Sequence, residues 1–189
     1  MIQIYDDLVP LEIQEQIESV LCGPDFFWFL FPGENNGSVG DLGTDLDTIL
    51  VGDPRVREYL TFGHNFLKDG RLTSDTAKII YDMFQQFCQD ANIEQTRIGR
   101  IKANFQTQCN FSREDFFNTP HIDRTDPHTV AIYYVNDSDG DTYIFDADGF
   151  IIKSVTPKRG RFLVFDGSLF HAGRHPINAN KRILINFNF

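Results

Sequence analysis

The sequence has few cysteines and no long apolar run. Only three of its 189 residues are cysteine, namely Cys22, Cys88 and Cys109. An odd number at wide spacing argues against a disulfide framework and favours reduced thiols, each expected to be a small buried or half-buried apolar group. No stretch of about 18 apolar residues exists, and no basic region precedes an apolar one at the N-terminus. We therefore expect a soluble, cytoplasmic protein without a membrane span.

Basic residues are missing from the first part of the chain. Residues 1–53 contain eleven carboxylates and no Lys or Arg, and the whole chain has a net charge of −10. This composition disfavours nucleic-acid binding, which depends on neutralising phosphates. Residues 151–189, in contrast, contain seven Lys or Arg and one acid. Such a segment suits a doubly anionic small molecule, although solvated strand residues are the preferred interpretation for its lysines at positions 153, 158 and 181.

Aromatic residues are abundant. The chain contains 19 Phe and is 41% apolar, which indicates a globular fold with an aromatic interior. Its length suits one domain with a substantial core. We expect a single domain over residues 1–189, in which residues 1–95 supply helices and N-terminal strands and residues 96–189 form a catalytic β-rich core.

The pattern of the first half predicts short strands and helices. Residues 2–5 favour a strand, and Pro10 opens a helical pattern that stops at Gly23. The aromatic run at residues 26–31 predicts a buried strand rather than a platform for nucleic-acid bases, because no basic residues accompany it. Residues 33–52 are rich in Gly, Asn, Asp and Ser and predict an irregular loop.

Two further helices are expected before residue 96. Asp53-Pro54 resembles a helix start, with a helix continuing through Val56, Tyr59 and Leu60. A second helix begins near position 74, and its apolar residues recur at helical spacing: Ile79, Ile80, Met83, Phe84 and Phe87. Both helices should pack on the outside of a sheet, with His64 as a surface residue between them.

The residue pattern of the second half predicts mainly β-strands. Residues 97–108 and 129–136 favour strands, residues 110–118 a loop, and the turns at 137–140 and 146–149 hairpin connections. Several short strands with such turns predict a double-sheet jelly roll. The expected fold class is α+β, mainly β, with the N-terminal helices outside one sheet.

The segment His121-Ile122-Asp123, together with His171, has the composition of a metal site. Two imidazoles and one carboxylate on one side of an octahedral ion leave positions open for substrates, which suits non-haem Fe(II) and O₂ chemistry. On a strand, His121 and Asp123 would point to the same face, with Ile122 turned into packing. His171 follows a strand-like run at residues 161–165 and is the candidate third ligand.

Zinc and calcium are alternative metals. The same ligand types also describe catalytic zinc, and ligand identity alone leaves it open. Arg182 argues against a simple zinc hydrolase, because a guanidinium fork is suited to holding a carboxylate through two hydrogen bonds. Residues 137–141 look like a calcium loop, but the glycine stands fourth instead of sixth and no Glu is twelfth.

Four other polar residues lie near these positions in the predicted sheet. His128 and His175 could replace one of the assigned ligands, but a loop or supporting role is the preferred interpretation. Asn104 and Gln106 lie on a strand that would line the pocket mouth. They are candidates for contact with a substrate, or are ordinary strand residues.

The order and spacing of several segments resemble the 2-oxoglutarate and Fe(II)-dependent dioxygenases, especially the prolyl-4-hydroxylase-like branch. The resemblance extends from about residue 97 to residue 189, and the first half matches only in outline. The matching segments are Thr119-Pro120-His121-Ile122-Asp123, Ala131-Ile132-Tyr133-Tyr134-Val135-Asn136, Gly140-Asp141-Thr142, residues 157–166, His171-Ala172-Gly173-Arg174-His175-Pro176 and Arg182-Ile183-Leu184-Ile185-Asn186-Phe187.

The resemblance implies a double-stranded β-helix, or cupin-like jelly roll, with a defined site. It implies that His121, Asp123 and His171 bind Fe(II), and that Arg182, eleven residues after His171, binds the distal carboxylate of the co-substrate 2-oxoglutarate. It also implies that Tyr134 donates its hydroxyl to that carboxylate. O₂ is the second co-substrate, and ascorbate is a candidate reductant.

The implied reaction is hydroxylation of a C–H bond with release of succinate and CO₂. Family members that halogenate lack the carboxylate that Asp123 supplies, so its presence favours hydroxylation. Peptidyl proline, another protein side chain and a small metabolite remain open as substrates, and the loops at 33–52 and 110–118 are candidate lids. Nucleic-acid dealkylation is disfavoured, and nothing indicates the oligomeric state. The alternative is a jelly-roll binding module without catalysis, since function depends on the site and not on the fold.

Overall fold

The computed structural model describes residues 1–31, 48–50, 52–56, 60–68, 70–95, 97–109 and 116–189. These ranges contain two helices, α1 (Leu11–Leu21) and α2 (Ala77–Asp90). Their strands are β1 (Ile2–Tyr5), β2 (Phe29–Phe31), β3 (Thr61–Lys68), β4 (Arg71–Leu72), β5 (Arg100–Thr107), β6 (Thr129–Tyr134), β7 (Thr142–Phe145), β8 (Ile151–Val155), β9 (Phe162–Asp166), β10 (Phe170–Gly173) and β11 (Lys181–Asn188).

The strands form two antiparallel sheets. The large sheet has the order β1-β9-β6-β11-β5-β3-β2, with β4 added to β3, and the small sheet has the order β10-β7-β8. From β6 onward the chain crosses repeatedly between the sheets, with β6, β9 and β11 in the large sheet and β7, β8 and β10 in the small sheet, as in a jelly roll. The predicted α+β, mainly β jelly roll is therefore confirmed.

Both helices pack on the outer face of the large sheet. The predicted helix after Pro10 is α1, which buries Ile17 and Leu21, and the predicted helix near residue 74 is α2. From α2, Phe87 stacks on Phe162 at 3.6 Å and Phe84 stacks on Phe187 at 4.0 Å between ring centroids. Aromatic pairs of this kind add about 0.5–1.5 kcal/mol each beyond their buried area.

A second apolar cluster lies between the two sheets. Because side chains alternate along a strand, Tyr133 of β6 packs with the helices on the outer face, whereas Tyr134 points between the sheets. Strand β11 alternates in the same way, with Ile183 outside and Leu184 inside, opposite Tyr134. A functional site between the two sheets would therefore be lined by the inward-facing side chains of the large sheet.

The aromatic run at 26–31 is not the buried strand that its composition predicts. Its last three residues form β2, which lies at the edge of the large sheet and, among the described strands, pairs with β3 alone. Phe27 and Phe29 are 74% and 61% exposed. Trp28 does pack inward, 5.4 Å from Phe105 between ring centroids. Leu30 is 51% exposed as well, so three apolar side chains of this run are left without cover at the sheet edge.

The predicted helix after Asp53 does not form over the described residues 53–56. The carboxylate of Asp53 accepts a hydrogen bond from the backbone N–H of Arg55 at 2.8 Å, as a helix cap would. The chain then leaves the turn, because Val56 forms a parallel bridge with Phe117. Residues 57–59 lie outside the described ranges. His64 belongs to β3, a strand that sequence patterning did not indicate.

One of the two predicted hairpin turns joins different sheets. The turn at 146–149 connects β7 to β8, as expected for a hairpin. The turn at 137–140 instead carries the chain from β6 in the large sheet to β7 in the small sheet. Turn composition marks where a strand ends, but not which strand the chain pairs with next.

The expectation for the cysteines is confirmed in part. The three thiols are free, with Cys88 buried and Cys109 half-buried as expected, but Cys22 is exposed because it follows the last turn of α1. Among the described residues, neither helix is long and apolar enough to cross a membrane. The predicted loops at 33–52 and 110–118 lie mostly outside the described ranges.

Candidate metal centre

Backbone pairing places His121 beside His171. The two residues form an antiparallel bridge in which each backbone N–H donates to the other's carbonyl oxygen, at 3.1 and 3.0 Å. A hydrogen-bonded pair of this kind directs both side chains to the same face. The ring centroids of the two imidazoles are 4.9 Å apart. Residues fifty positions apart in sequence thus present two nitrogen ligands to one point.

Asp123 completes the group, although not by the strand geometry predicted for it. Residue 121 forms only isolated bridges and residue 123 lies in a bend. Its carboxylate oxygens nevertheless lie 4.0 Å from Nε2 of His121 and 3.8 Å from Nε2 of His171. One ligand atom from each residue lies within 4.8 Å of the others. Ile122, which was expected to turn into packing, is buried.

The charges of these groups suit a divalent cation. Nδ1 of His121 lies 2.9 Å from the carbonyl oxygen of Thr119, which can only accept, so Nδ1 carries the proton and Nε2 is left as a ligand. Burial lowers the pKa of His171 to about 4, and the Asp123 carboxylate partly opposes this shift. Burial alone would raise the pKa of Asp123, but the cation of Arg100 above all holds it well below its usual range. Neutral His171 and an ionised carboxylate are the forms that bind metals.

The inner face of the large sheet is polar where it passes the three candidate ligands. Alternate residues of β5 line the cavity beside them, namely Arg100, Lys102, Asn104 and Gln106. Opposite them on β11 stand Asn188, Asn186, Leu184 and Arg182. Asn104 and Gln106 are candidates from the sequence, whereas four other polar residues of this face are apparent only in the structure, namely Arg100, Lys102, Asn186 and Asn188. The alternation of polar residues with Ile101, Ala103 and Phe105 separates the two faces of β5 in the sequence, but it does not show which face lines the site.

Asn186 and Asn188 act on the metal centre through Asp123. Their side-chain amides donate to Oδ2 of its carboxylate at 2.8 and 2.9 Å. Arg100 donates to Oδ1 at 2.7 Å. Three donors from two neighbouring strands therefore fix the orientation of one candidate ligand.

Arg182 lies in the same cavity and is 3% exposed. Its guanidinium donates to the carbonyl oxygen of Gly140 at 2.6 Å, to Oε1 of Gln106 at 2.6 Å and to Oγ1 of Thr142 at 2.7 Å. All three partners are neutral, and no carboxylate among the described residues hydrogen-bonds to it. A buried cation without a bonded counter-charge is costly, so this site fits an anionic ligand.

Thr142 links Arg182 to Tyr134. Its hydroxyl oxygen accepts from the Tyr134 hydroxyl at 2.7 Å as well as from Arg182. The hydroxyl hydrogen of Thr142 is therefore available to a further acceptor in the cavity. Thr142 belongs to a segment that carries the resemblance but had no predicted role, whereas Tyr134 was predicted to contact the ligand itself.

Glycines allow the guanidinium of Arg182 to lie against the backbone. A Cβ on Gly140 would come 2.8 Å from Cδ of Arg182 and 2.3 Å from the carbonyl oxygen of Arg174. A Cβ on Gly173 would come 3.0 Å from Nη1 of Arg182. The contact with the backbone at Gly140 is too close for any other residue type, whereas a side chain at position 173 would require the guanidinium to shift by a few tenths of an ångström. Both glycines therefore favour the observed placement of Arg182.

The other candidate ligands lie elsewhere. Nδ1 of His175 is 3.0 Å from the carbonyl oxygen of Thr107, and Nδ1 of His128 is 2.8 Å from that of Asp126. In the segment considered for calcium, Asp139 accepts instead from the backbone N–H groups of residues 177–179. Within the described ranges, His121, Asp123 and His171 form the sole group placed to hold a metal.

A comparison with protein families gives a match over this part of the chain. Residues 106–189, which include the three candidate ligands and Arg182, match the model of the 2OG-Fe(II) oxygenase superfamily. The resemblance noted in the sequence is thus confirmed, and the group of two histidines and one aspartate fits iron. No curated protein matches the sequence.

Solved structures share the fold over the whole chain. A 2OG-Fe(II) oxygenase family oxidoreductase from Burkholderia pseudomallei superimposes with a TM-score of 0.70 at 12% identity, covering 99% of this chain and 84% of that chain. A prolyl hydroxylase from Trichoplax adhaerens, in complex with a hypoxia inducible factor peptide fragment, gives 0.60 at 12% identity, covering 100% and 83%. HygX from Streptomyces hygroscopicus, with nickel, 2-oxoglutarate and hygromycin B bound, gives 0.55 at 14% identity, covering 99% and 81%.

Proposed function

We propose that this 2-oxoglutarate- and Fe(II)-dependent dioxygenase hydroxylates a C–H bond of a primary substrate, using His121, Asp123, His171 and Arg182. The observation that carries the proposal is the position of Arg182. It is a buried cation whose hydrogen-bond partners among the described residues are all neutral, and it lies in the same cavity as the three candidate metal ligands. A simple metal hydrolase has no use for such a group, whereas a dicarboxylate co-substrate does.

The metal would be bound by Nε2 of His121, a carboxylate oxygen of Asp123 and His171. Fe(II), when bound, supplies the activation of O₂ and the oxidation of the C–H bond, coupled to decarboxylation of 2-oxoglutarate. The protein orients the metal ligands and keeps them in the protonation state that binds a metal. Arg100 and the two asparagines of β11 fix the carboxylate, and burial keeps His171 neutral. A ligand set that is ordered in advance loses little conformational entropy on binding the ion.

The co-substrate would lie along β11. Asn186, which contacts Asp123, and Arg182 are four residues apart on this strand. At about 3.3 Å per residue their Cα atoms are roughly 13 Å apart, a span that the two side chains shorten to that of a five-carbon dicarboxylate. Arg182 would hold the distal carboxylate, Thr142 would donate its free hydroxyl hydrogen to it, and Tyr134 would orient Thr142. Leu184 would form the floor between the two ends.

Hydroxylation is the outcome that the ligand set supports, because the family members that halogenate lack the carboxylate that Asp123 would supply to the metal. The primary substrate is a peptide or protein side chain, as for the Trichoplax neighbour with its peptide, or a small molecule, as for HygX with hygromycin B. The acidic first half of the chain argues against nucleic acid.

The proposal is tested first without O₂. Purified protein is mixed anaerobically with Fe(II) and 2-oxoglutarate, and the weak visible absorption of an Fe(II)–2-oxoglutarate chelate is measured. O₂ is then admitted and succinate is quantified. Asp123→Ala removes a candidate ligand, and Asp126→Ala is the matched control, since Asp126 is an exposed carboxylate in the same segment.

We expect the chelate absorption and succinate formation in the wild type and in Asp126→Ala, and neither in Asp123→Ala. A wild type that gives no absorption would refute the proposal and favour a jelly-roll binding module. Absorption of equal strength in Asp123→Ala would show that the metal binds elsewhere.

A further inference from the structure

Two asparagine side chains line the cavity in addition to the candidate metal ligands and Arg182. Asn104 belongs to β5, and Asn118 precedes His121 by three residues. The side-chain oxygens of both asparagines are buried and have no hydrogen-bond partner among the described residues. Asn118 as a whole is 4% exposed. Buried polar atoms in native proteins nearly always have partners, so two such acceptors in one cavity indicate a bound molecule that supplies donors.

Asn104 stands beside the proposed position of the co-substrate. It pairs across the sheet with Leu184, the residue that would form the floor beneath 2-oxoglutarate. On β11, Leu184 lies midway between Asn186, which contacts Asp123, and Arg182. Neighbouring strands are about 4.8 Å apart. The side chain of Asn104 is therefore one strand away from the middle of the co-substrate, between the metal end and the distal end of the site.

Asn118 lies on the opposite side of the cavity. Its backbone N–H donates to the carbonyl oxygen of Gly173, the last residue of β10, at 3.0 Å. Strand β10 belongs to the small sheet, whereas β5 belongs to the large sheet. The next residue, Thr119, contacts Nδ1 of His121 through its carbonyl oxygen at 2.9 Å. The two amides are thus fixed on the two sheets that enclose the cavity, with Asn118 close to a candidate metal ligand.

The co-substrate cannot supply donors to these oxygens. 2-Oxoglutarate has two carboxylates and one keto oxygen, which are all acceptors, and at neutral pH it has no N–H or O–H group. O₂ has no donor either. The groups placed for the distal carboxylate are instead donors, namely the guanidinium of Arg182 and the hydroxyl of Thr142. Of the components of the proposed reaction, the primary substrate is therefore the one that can bind to the two amide oxygens.

We propose that Asn104 and Asn118 bind the primary substrate by accepting hydrogen bonds from its N–H or O–H groups, and thereby hold a neighbouring C–H bond towards the metal. This inference rests on the proposed function, because it concerns the primary substrate of that reaction. Hydrogen bonds from both sheets fix the orientation of a molecule better than one bond does, and orientation of the reacting bond is what the site must provide.

The inference restricts the substrate to molecules with at least two donors close to the oxidised carbon. Backbone amides of a peptide and hydroxyl groups of a small polar molecule share this chemistry, whereas hydrocarbons, ethers and esters lack it. A peptidyl proline has no N–H of its own, so its donors would come from neighbouring residues. The peptide and the small molecule are two sources of the same donors, and the test has one arm for each.

The test compares probes that have donors with analogues in which every donor is methylated. N-acetylglycine N-methylamide, which has two N–H groups, is paired with N-acetylsarcosine dimethylamide, and glycerol is paired with its trimethyl ether. The protein is loaded with Mn(II), which is paramagnetic, and with excess 2-oxoglutarate. Relaxation of the protons of each probe then reports binding near the metal. Relaxation of the methylene protons of 2-oxoglutarate in the same samples reports whether the co-substrate is bound.

Three variants identify the residues responsible. Asn104→Leu and Asn118→Leu replace an amide by an apolar side chain of similar size, and Asn180→Leu is the matched control, because Asn180 is exposed. In the wild type and the control, we expect at least one donor probe to bind about 5-fold or more tightly than its methylated analogue. Each cavity variant should lower this ratio by at least about 2-fold. A change in cavity shape alone would weaken both members of a pair and leave the ratio unchanged.

The outcomes separate this inference from the proposed function. A 2-oxoglutarate signal in all four proteins is expected and also shows that each variant is folded. Equal binding of donor and methylated probes by the wild type, or a ratio unchanged in both cavity variants, would overturn the inference alone. Loss of the 2-oxoglutarate signal in a cavity variant but not in Asn180→Leu would assign that residue to the co-substrate and also overturn the inference. Absence of any 2-oxoglutarate signal in the wild type would overturn the proposed function and the inference together.

Discussion

Nη2 of Arg100 donates a hydrogen bond to Oδ1 of Asp123 across 2.7 Å, and both side chains are buried. The carboxylate is thus paired with a cation and oriented before a metal binds. In the metal-free protein, Arg100 supplies positive charge next to the position that a divalent ion would take. Removing one partner of a buried pair leaves the other uncompensated, which is strongly destabilising.

Arg100→Leu should destabilise the metal-free protein and increase the stabilisation that a bound metal gives. We expect the free energy of unfolding without metal to fall by about 3–5 kcal/mol, because Asp123 loses its cation. Mn(II) at a fixed concentration should then raise the melting temperature more in the variant than in the wild type, because the ion restores the missing charge. Urea unfolding and thermal denaturation with and without Mn(II) measure both effects.

Arg100→Gln separates charge from hydrogen bonding, since glutamine retains an N–H donor. Its loss of stability should be smaller than that of Arg100→Leu, while its increased response to Mn(II) should persist. Equal metal responses in all three proteins would show that Arg100 does not compensate Asp123.

The candidate ligands could be predicted from the sequence because their chemistry is carried by residue type and spacing. His121 and Asp123 are two positions apart, and His171 precedes Arg182 by eleven. These sequence spacings do not depend on whether the local backbone is a strand or a turn. The strand predicted for residues 121–123 is in fact an isolated bridge and a bend, yet the three side chains still converge.

Features that depend on long-range placement could not be predicted. The aromatic run at 26–31 has the composition of a core strand, but its position at the sheet edge exposes Phe27 and Phe29. Alternation along β5 separates Arg100 and Lys102 from Ile101. It does not show which set faces the space between the sheets. Both faces of the large sheet are covered, the outer one by the helices, so neither set is marked by exposure to solvent. An inward-facing polar row becomes recognisable only once both faces are known to be covered.

The packing of α2 should be essential to stability. Phe87 is 1% exposed and stacks on Phe162. Phe87→Ala should lower the free energy of unfolding by about 3–5 kcal/mol through lost burial and a cavity. Phe150→Ala is the matched control, because Phe150 is 70% exposed, and it should change stability by less than about 0.5 kcal/mol. Urea unfolding checks both, and similar losses in the two variants would contradict the placement of α2.

His175 should make the protein sensitive to mild acid. It is fully buried, and burial lowers its pKa to about 4, against about 6.5 in the unfolded chain. Below pH 6.5 the unfolded chain binds a proton that the folded protein resists. Stability from this group is therefore present above pH 6.5 and is lost as the pH falls towards 4, by up to about 1.4 kcal/mol per unit.

The variant His175→Asn isolates this effect. Asparagine can still donate a hydrogen bond to the carbonyl oxygen of Thr107, as Nδ1 of His175 does, but does not titrate. Between pH 7 and pH 5 the wild type should lose about 1–2 kcal/mol more than the variant in urea unfolding. His171 is present in both proteins, so its own contribution cancels. Parallel losses would mean that His175 titrates alike in the folded and unfolded states.

The hydroxyl of Thr142 should determine how tightly 2-oxoglutarate binds. Its oxygen accepts from Arg182 and Tyr134, so its hydrogen can be donated to a carboxylate. Thr142→Val keeps the shape of the side chain and removes these bonds, whereas Thr142→Ser keeps the hydroxyl. In an anaerobic titration with Fe(II), we expect the Kd for 2-oxoglutarate to rise about 10–100-fold in Thr142→Val, as for hydrogen bonds to charged groups. Thr142→Ser should stay within a few-fold of the wild type, and equal affinities of the two variants would show that the carboxylate is bound without Thr142.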